Sequence, residues 1–352
     1  MNMFRSISKN VSPRLLRWIP WGVTGFLLFA ALLRFSEAAL GSLPVILTKA
    51  LDTLSNFSAV FLGIFVEAVP FLLLGTLASG IVEVFVSRDE LMRWVPQQGI
   101  GSALAGSLMG LFFPVCECGV VPFTRRLVRK GLPLSAGISL LLAAPVVNPI
   151  VIASTLAAFG AGPVFWGRII ASLLIAFLTG LVFTLAQPQE VLRSAPVIAL
   201  PPVILPLESP AQTPLSQRIR QVLILAADEF FEMGRFLVLG ALLAAFMQTF
   251  IPQAGLLVLG QGPVLSVFVM IALAILLSVC STVDAFIALA FTGTFTTGSI
   301  LAFLVFGPMV DIKSTLMFLR VFKPRAVLYL ILLPLLMTAL WMVGVNLWGG
   351  WG

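Results

Sequence analysis

The chain has 352 residues, of which 60% are hydrophobic and 10% charged, and its mean hydropathy is +1.11. An ordinary soluble domain, with ~45–50% apolar and ~25% charged residues, is excluded. The net charge of +7, three cysteines and no histidine exclude a disulfide framework and a Cys/His zinc site, and the scatter of the basic residues between apolar runs argues against a nucleic-acid face.

Apolar runs of about twenty residues or more recur, and in a bilayer they must be helices, because unpaired backbone groups have no water to turn to. The alternating ten-residue strands of an outer-membrane barrel are not visible. The first twenty residues carry Arg5, Lys9, Arg14 and Arg17 and no acid, and residues 18–33 are apolar. This reads as an uncleaved anchor; a cleaved signal peptide, cut near Ser36 to Ala38, is the alternative, and both put the N-terminus in the cytoplasm. Residues 40–56 then form an outer loop, 57–86 a helix running inward and 87–99 a cytoplasmic loop.

Residues 100–113 are apolar but span about 21 Å at the helical rise, too short to cross comfortably. Arg125, Arg126, Arg129 and Lys130 follow, and a complete span here would put this basic cluster outside. The segment therefore reads as a re-entrant hairpin with a non-helical break at residues 114–122. Residues 134–159 cross outward and 163–186 return. A proline-rich cytoplasmic linker covers 187–220, and its apolar patch is too broken by proline to span. Then 222–250 cross outward, 263–295 form a second hairpin, 300–320 cross inward and 326–348 cross outward.

The chain repeats itself. Glu67 and Glu232, Cys116 and Cys280, Pro145 and Pro308, and Asn148 and Asp311 recur at offsets of 163 to 165 positions. The expected fold is thus an all-α membrane protein of two inverted-topology repeats, 57–186 and 221–352, each with three spans and one re-entrant hairpin, after an extra helix within 1–56. Inverted repeats with broken helices at mid-membrane are a transporter architecture.

Ionisable groups inside spans are rare and mark function. Glu67 and Glu232 each lie about 15 Å deep and are proton-coupling candidates, or carboxyls held across a helix interface by Ser, Thr or Arg235. Asp228 and Glu229, nearer the boundary, are expected to be solvated. Pro145, Asn148, Pro308, Asp311 and Lys313 form the best-supported substrate site, since each proline frees carbonyls three residues before a polar side chain. Asp311 and Lys313 could instead form a structural ion pair. Cys116, Cys118 and Cys280 would add soft ligands for a thiophilic solute, with Ser281 beside them, or the cysteines could be small apolar filler. Glu117 and Asp284 flank the same two tips. Gly106 with Gly110, and Gly75 with Ser79, read as close helix packing. No phosphate-binding loop is present, so nucleotide hydrolysis is not indicated.

The block CECGVVPFTRRLVRKGLPLSA, then LLAAPVVNPI, CSTVDAF and FGPMVDIKSTLMF, resembles the predicted permeases of the YraQ type, which include the organoarsenical efflux permeases called ArsP. The resemblance runs from Phe57 to about Tyr329. It falls on Cys116, Cys118, Gly119, Pro122, Arg126, Lys130, Gly131, Pro145, Asn148 and Pro149, then on Cys280, Ser281, Asp284, Gly307, Pro308, Asp311 and Lys313. It implies an integral inner-membrane permease and, for one branch, export of trivalent organoarsenicals. The expected function is secondary transport of a small solute, most simply efflux, with lipid and substrate as partners, no resident metal or cofactor and no nucleic acid. A membrane thiol-disulfide oxidoreductase and a non-transporting subunit of a membrane assembly are the alternatives.

Overall fold

The structure, a computed structural model, describes residues 45–97, 99–113, 116–193, 214–251 and 262–348. The expected first span, Pro114, residues 194–213 of the linker and most of the 251–262 loop lie outside them. Residues 1–63 and 64–352 form two units. In the first unit the described residues are helical, with the Thr53 hydroxyl donating to the Lys49 carbonyl and the Ser58 hydroxyl to that of Leu54.

Fourteen α-helices are described. They are α1 (Val45–Phe85), α2 (Arg88–Trp94), α3 (Gly99–Met109), α4 (Glu117–Lys130), α5 (Leu134–Val147), α6 (Pro149–Phe159) and α7 (Pro163–Val182), then α8 (Pro188–Val191), α9 (Leu215–Phe250), α10 (Leu265–Leu277), α11 (Asp284–Leu289), α12 (Thr297–Met309), α13 (Ile312–Val321) and α14 (Pro324–Trp348). Among the described residues six stretches are long and apolar enough to cross a membrane: Thr48–Phe85, Leu134–Phe159, Pro163–Leu185, Leu215–Phe250, Thr297–Val321 and Pro324–Trp348. Helices α3 and α10 are apolar but shorter. The chain is therefore an all-helical, multi-pass membrane protein.

Two expectations need correction. Residues 45–56 are not an outer loop but the start of α1, because no glycine or proline interrupts Val45 to Asn56. Nor does a break extend to residue 122, since α4 begins at Glu117 and runs through Pro122. Pro122 removes one ladder bond, to the Cys118 carbonyl, and buried surroundings tolerate that loss. The loop at 87–99 holds α2, started by a capping box between Ser87 and Glu90. Hydrogen bonds from the Ser87 backbone and hydroxyl keep the Glu90 carboxyl below its usual range.

The core is two broken crossings, α5–α6 and α12–α13. In their most apolar windows 78% and 83% of residues are buried, against 17% for Thr48–Phe85. Helices apolar on every side belong inside; every residue of α5 is buried, and α3, α4, α7 and α12 pack around it. The outer helices turn large apolar side chains outward, as at Leu74 on α1, Phe246 on α9 and Leu340 on α14, which is the surface lipid covers. Lipid is as apolar as leucine, so close backbone approach rather than burial drives helix association. Gly106 lies against the Ala136 backbone, Gly110 against Ala143 and Ala144, and Gly75 against the Gly119 backbone. The small-residue pairs of the sequence thus serve packing within one chain. The proline-rich linker is pinned at its first end, where Arg193 N–H donates to the Val321 carbonyl at 2.9 Å and Lys323 N–H to that of Val191 at 2.8 Å.

Candidate functional site

Both core crossings are broken just after a proline, and each break is closed by the residue that begins the next helix. Pro145 lies inside α5 and Pro308 inside α12. Asn148 caps α6: its Oδ1 accepts from the N–H groups of Ile150 (3.0 Å) and Val151 (2.9 Å), while its Nδ2 donates to the Ala144 carbonyl (3.0 Å). Asp311 caps α13, accepting from Ser314 N–H at 2.6 Å and donating its own N–H to the Ser314 hydroxyl at 2.9 Å. An amide or carboxylate oxygen at an N-cap satisfies donors that a helix start leaves open. Asn148 is occupied by that task.

Asp311 has a second oxygen. Its Oδ2 lies 3.3 Å from Lys313 Nζ, and the same ammonium is 3.4 Å from Oε1 of Glu117, the first residue of α4. Asp311 and Lys313 therefore do form an ion pair, with Glu117 as a third member brought from the other half of the sequence. All three are at most 3% exposed, so two carboxylates share one ammonium out of water. Such a group persists only if its charges stay paired. Glu117 Oε2, Asp311 Oδ2 and the Ser281 hydroxyl have no hydrogen-bond partner among the described residues.

The cysteines converge on this group. Cys116, the N-cap of α4, and Cys280, just after α10, place their sulfurs and a Glu117 carboxylate oxygen within 4.8 Å of one another. Two soft donors and one hard donor suit a thiophilic centre. Cys118 is buried as well but lies outside that set. All three thiols are free.

Asp284 belongs to a different constellation. Its two oxygens accept from Arg168 at 3.0 and 2.7 Å, and Arg168 also donates to the Thr155 hydroxyl at 2.9 Å. The bidentate pair ties α7 and α6 to α11 and is the charge that offsets Asp284. Arg168 escaped sequence reasoning, although a lone arginine in the apolar run 163–186 was a legible signal.

The two repeat-related glutamates differ. Glu67 is half-buried and makes no hydrogen bond or ion pair among the described residues. Glu232 is held by Arg125 at 3.2 Å and by Arg320 at 3.0 and 2.7 Å, not by Arg235. Asp228 is exposed as expected, but Glu229 is buried. Helix α9 starts at Leu215 rather than at residue 222, and Glu229 on it accepts from the Ser79 hydroxyl (2.6 Å) and from Arg126 (3.2 Å). Glu83, Glu229, Glu232, Arg125, Arg126, Arg129 and Lys130 line a cavity of about 280 Å³.

The sequence profile of a family described as predicted permeases matches residues 53–346. The chain is 42% identical over 284 residues to the UPF0718 protein YcgR of Bacillus subtilis (strain 168), covering 78% of this chain and 92% of that one. It is 35% identical over 271 residues to a protein of Streptococcus mutans serotype c named putative two-component membrane permease complex subunit, covering 77% and 88%. No solved structure gives a significant match. The chain belongs to this predicted-permease family.

Proposed function

We propose that this member of the predicted-permease family is a secondary transporter of the inner membrane that exports a small solute, with its N-terminus in the cytoplasm. In this reading α3–α4 and α10–α11 are re-entrant hairpins of two inverted repeats, and their tips meet the broken crossings near mid-membrane. The observation that carries it is the union of Cys116 and Glu117 from the first half with Cys280, Asp311 and Lys313 from the second. Buried charge and freed backbone groups at that depth are tolerated where they line a pathway or are enclosed by protein.

Cys116 and Cys280 would grip a thiophilic solute such as a trivalent organoarsenical, with Cys118 and Ser281 nearby and Pro145, Asn148 and Pro308 shaping the breaks. Asp284, held by Arg168, keeps α11 in place beside the solute. Glu67, whose carboxyl has no partner among the described residues, suits proton carriage better than Glu232, which Arg125 and Arg320 both engage.

Flux in proteoliposomes, with trivalent arsenicals among the solutes and with and without a pH gradient, tests the reading. Export should be saturable, solute should shield Cys116 and Cys280 from alkylation, and Cys→Ser at either should abolish flux while Cys118→Ser keeps part of it. Full flux in the Cys116→Ser and Cys280→Ser variants would remove the thiophilic assignment. Absence of any flux would favour a second reading, suggested by the Streptococcus mutans relative's name: a subunit that needs another polypeptide. Restoration of flux by a co-reconstituted partner would establish it.

A further inference from the structure

The cavity at the C-terminal end of α4 is separate from the cysteine cluster, and its charges do not cancel. Four of its lining residues, Arg125, Arg126, Arg129 and Lys130, come from α4; Glu83 comes from α1, and Glu229 and Glu232 come from α9. On a helix, positions 125, 126, 129 and 130 share one face, because residues four apart are neighbours. Each carboxylate is already engaged. Glu232 is bound by Arg125 and Arg320, Glu229 by Ser79 and Arg126, and Glu83 lies 3.7 Å from Arg126 and 4.0 Å from Lys130. Lys130 also donates to the carbonyls of Val82 and Glu83. With Arg320 included, five cations face three carboxylates, a surplus of two positive charges.

Arg129 carries one of these two charges, and the other lies where Arg125 and Arg320 share Glu232. Among the described residues the Arg129 guanidinium makes no hydrogen bond or ion pair, yet it lines the cavity and is exposed. Arginine presents a planar fork of donors that matches the oxygens of a phosphate, and such charge-assisted bonds are the strong ones. The volume, at the lower end for small-molecule sites, admits an anion of that size.

We infer that this cavity binds a phosphate-bearing anion, with Arg129 as its principal contact and the net positive charge of the lining holding it in place. The chemistry is the same for a free phosphate and for the headgroup of an anionic lipid, and the two sources are separable by experiment. The site stands independently of the transport reading, since its test measures binding and not flux.

The test uses the full chain in phosphatidylcholine nanodiscs, comparing the unaltered protein with Arg129→Gln and with Arg325→Gln. Arg325 is exposed at the start of α14 and outside the cavity, so it controls for general surface charge. In the first arm radiolabelled inorganic phosphate is titrated; in the second, phosphatidylglycerol replaces part of the lipid and the thermal unfolding midpoint is read. Saturable phosphate binding weakened at least about tenfold by Arg129→Gln alone identifies a free phosphate ligand. No phosphate binding, with a midpoint raised by phosphatidylglycerol and returned to its starting value by Arg129→Gln alone, identifies a lipid headgroup. A null result in both arms, an equal effect of the two variants, or binding that Arg129→Gln leaves unchanged overturns the proposal. Equal unfolding midpoints of the variants in pure phosphatidylcholine show that folding is not the cause.

Discussion

Lys313 Nζ lies 3.4 Å from Glu117 Oε1 across 196 positions of sequence. That contact joins the start of α4 to the start of α13 in a fully buried group that also holds Asp311 at 3.3 Å. Removing the one cation strands two carboxylates away from water. Lys313→Met should therefore destabilise the protein by about 3–5 kcal/mol, while neutralising all three (Glu117→Gln, Asp311→Asn, Lys313→Met) should recover most of the loss. Thermal unfolding in detergent reads both; a triple variant no more stable than Lys313→Met would show that the charges do not act as a group.

Asp311 caps α13 and carries a charge, and one substitution separates the two duties. Asparagine keeps the oxygen that accepts from Ser314 N–H, as Asn148 does at the matching break. Asp311→Asn should keep expression and unfolding midpoint near those of the unaltered protein and lower flux by at least about tenfold, a barrier change of ~1.4 kcal/mol. A fall in midpoint as large as that of Lys313→Met, with flux per folded molecule intact, would make the aspartate structural.

Arg168 holds Asp284 through two parallel hydrogen bonds, and lysine cannot reproduce that fork. Arg168→Met should therefore cost about 3–5 kcal/mol through the buried, unpaired carboxylate, and Arg168→Lys, which keeps the charge but not the two parallel bonds, should cost a part of that. Adding Asp284→Asn to Arg168→Met should restore part of the stability. Unfolding midpoints of the four proteins decide it, and an unaffected Arg168→Lys variant would contradict the bidentate geometry.

A methyl group at Gly75 would overlap the backbone of Gly119, whereas one at Gly234 meets nothing within 4 Å. Gly75→Ala should push α1 off α4 and cost about 1–3 kcal/mol, the usual range for overpacking. Gly234→Ala should be neutral or slightly stabilising, because alanine is the better helix former. The folded fraction recovered by size-exclusion chromatography distinguishes them.

The proposed inverted repeats place Lys130 and Thr297 on opposite faces of the membrane. Cysteines introduced at these two positions, in a background with Cys116, Cys118 and Cys280 changed to serine, should react with an impermeant thiol reagent from opposite sides. Labelling of both from one side would end the inverted-repeat reading and the alternating-access scheme built on it.

Composition and apolar run length were enough to read a helical membrane protein and to find six of its spans, four of them to within about three residues at each end, because in lipid a long apolar run has only the helix open to it. The break positions Asn148 and Asp311 were legible for a similar local reason: a proline and a following cap are chemistry of adjacent residues. Where a helix began was harder to read. Val45–Asn56 and Leu215–Gln221 are polar enough to look like loops, yet nothing in them halts a helix that the adjoining span has already nucleated.

Partners across the chain were beyond sequence reasoning altogether. Glu232 was assigned a possible holder in Arg235, three places along the same helix, but Arg125 and Arg320 take that role. Glu229 looked solvated and is buried, and Arg168 went unremarked although it fixes Asp284. The residues themselves declared that charge and sulfur lie within the membrane, since the cost of placing them there is intrinsic to each side chain. Which cation neutralises which carboxylate depends on a few ångströms between helices over a hundred residues apart, and helix packing alone sets those distances.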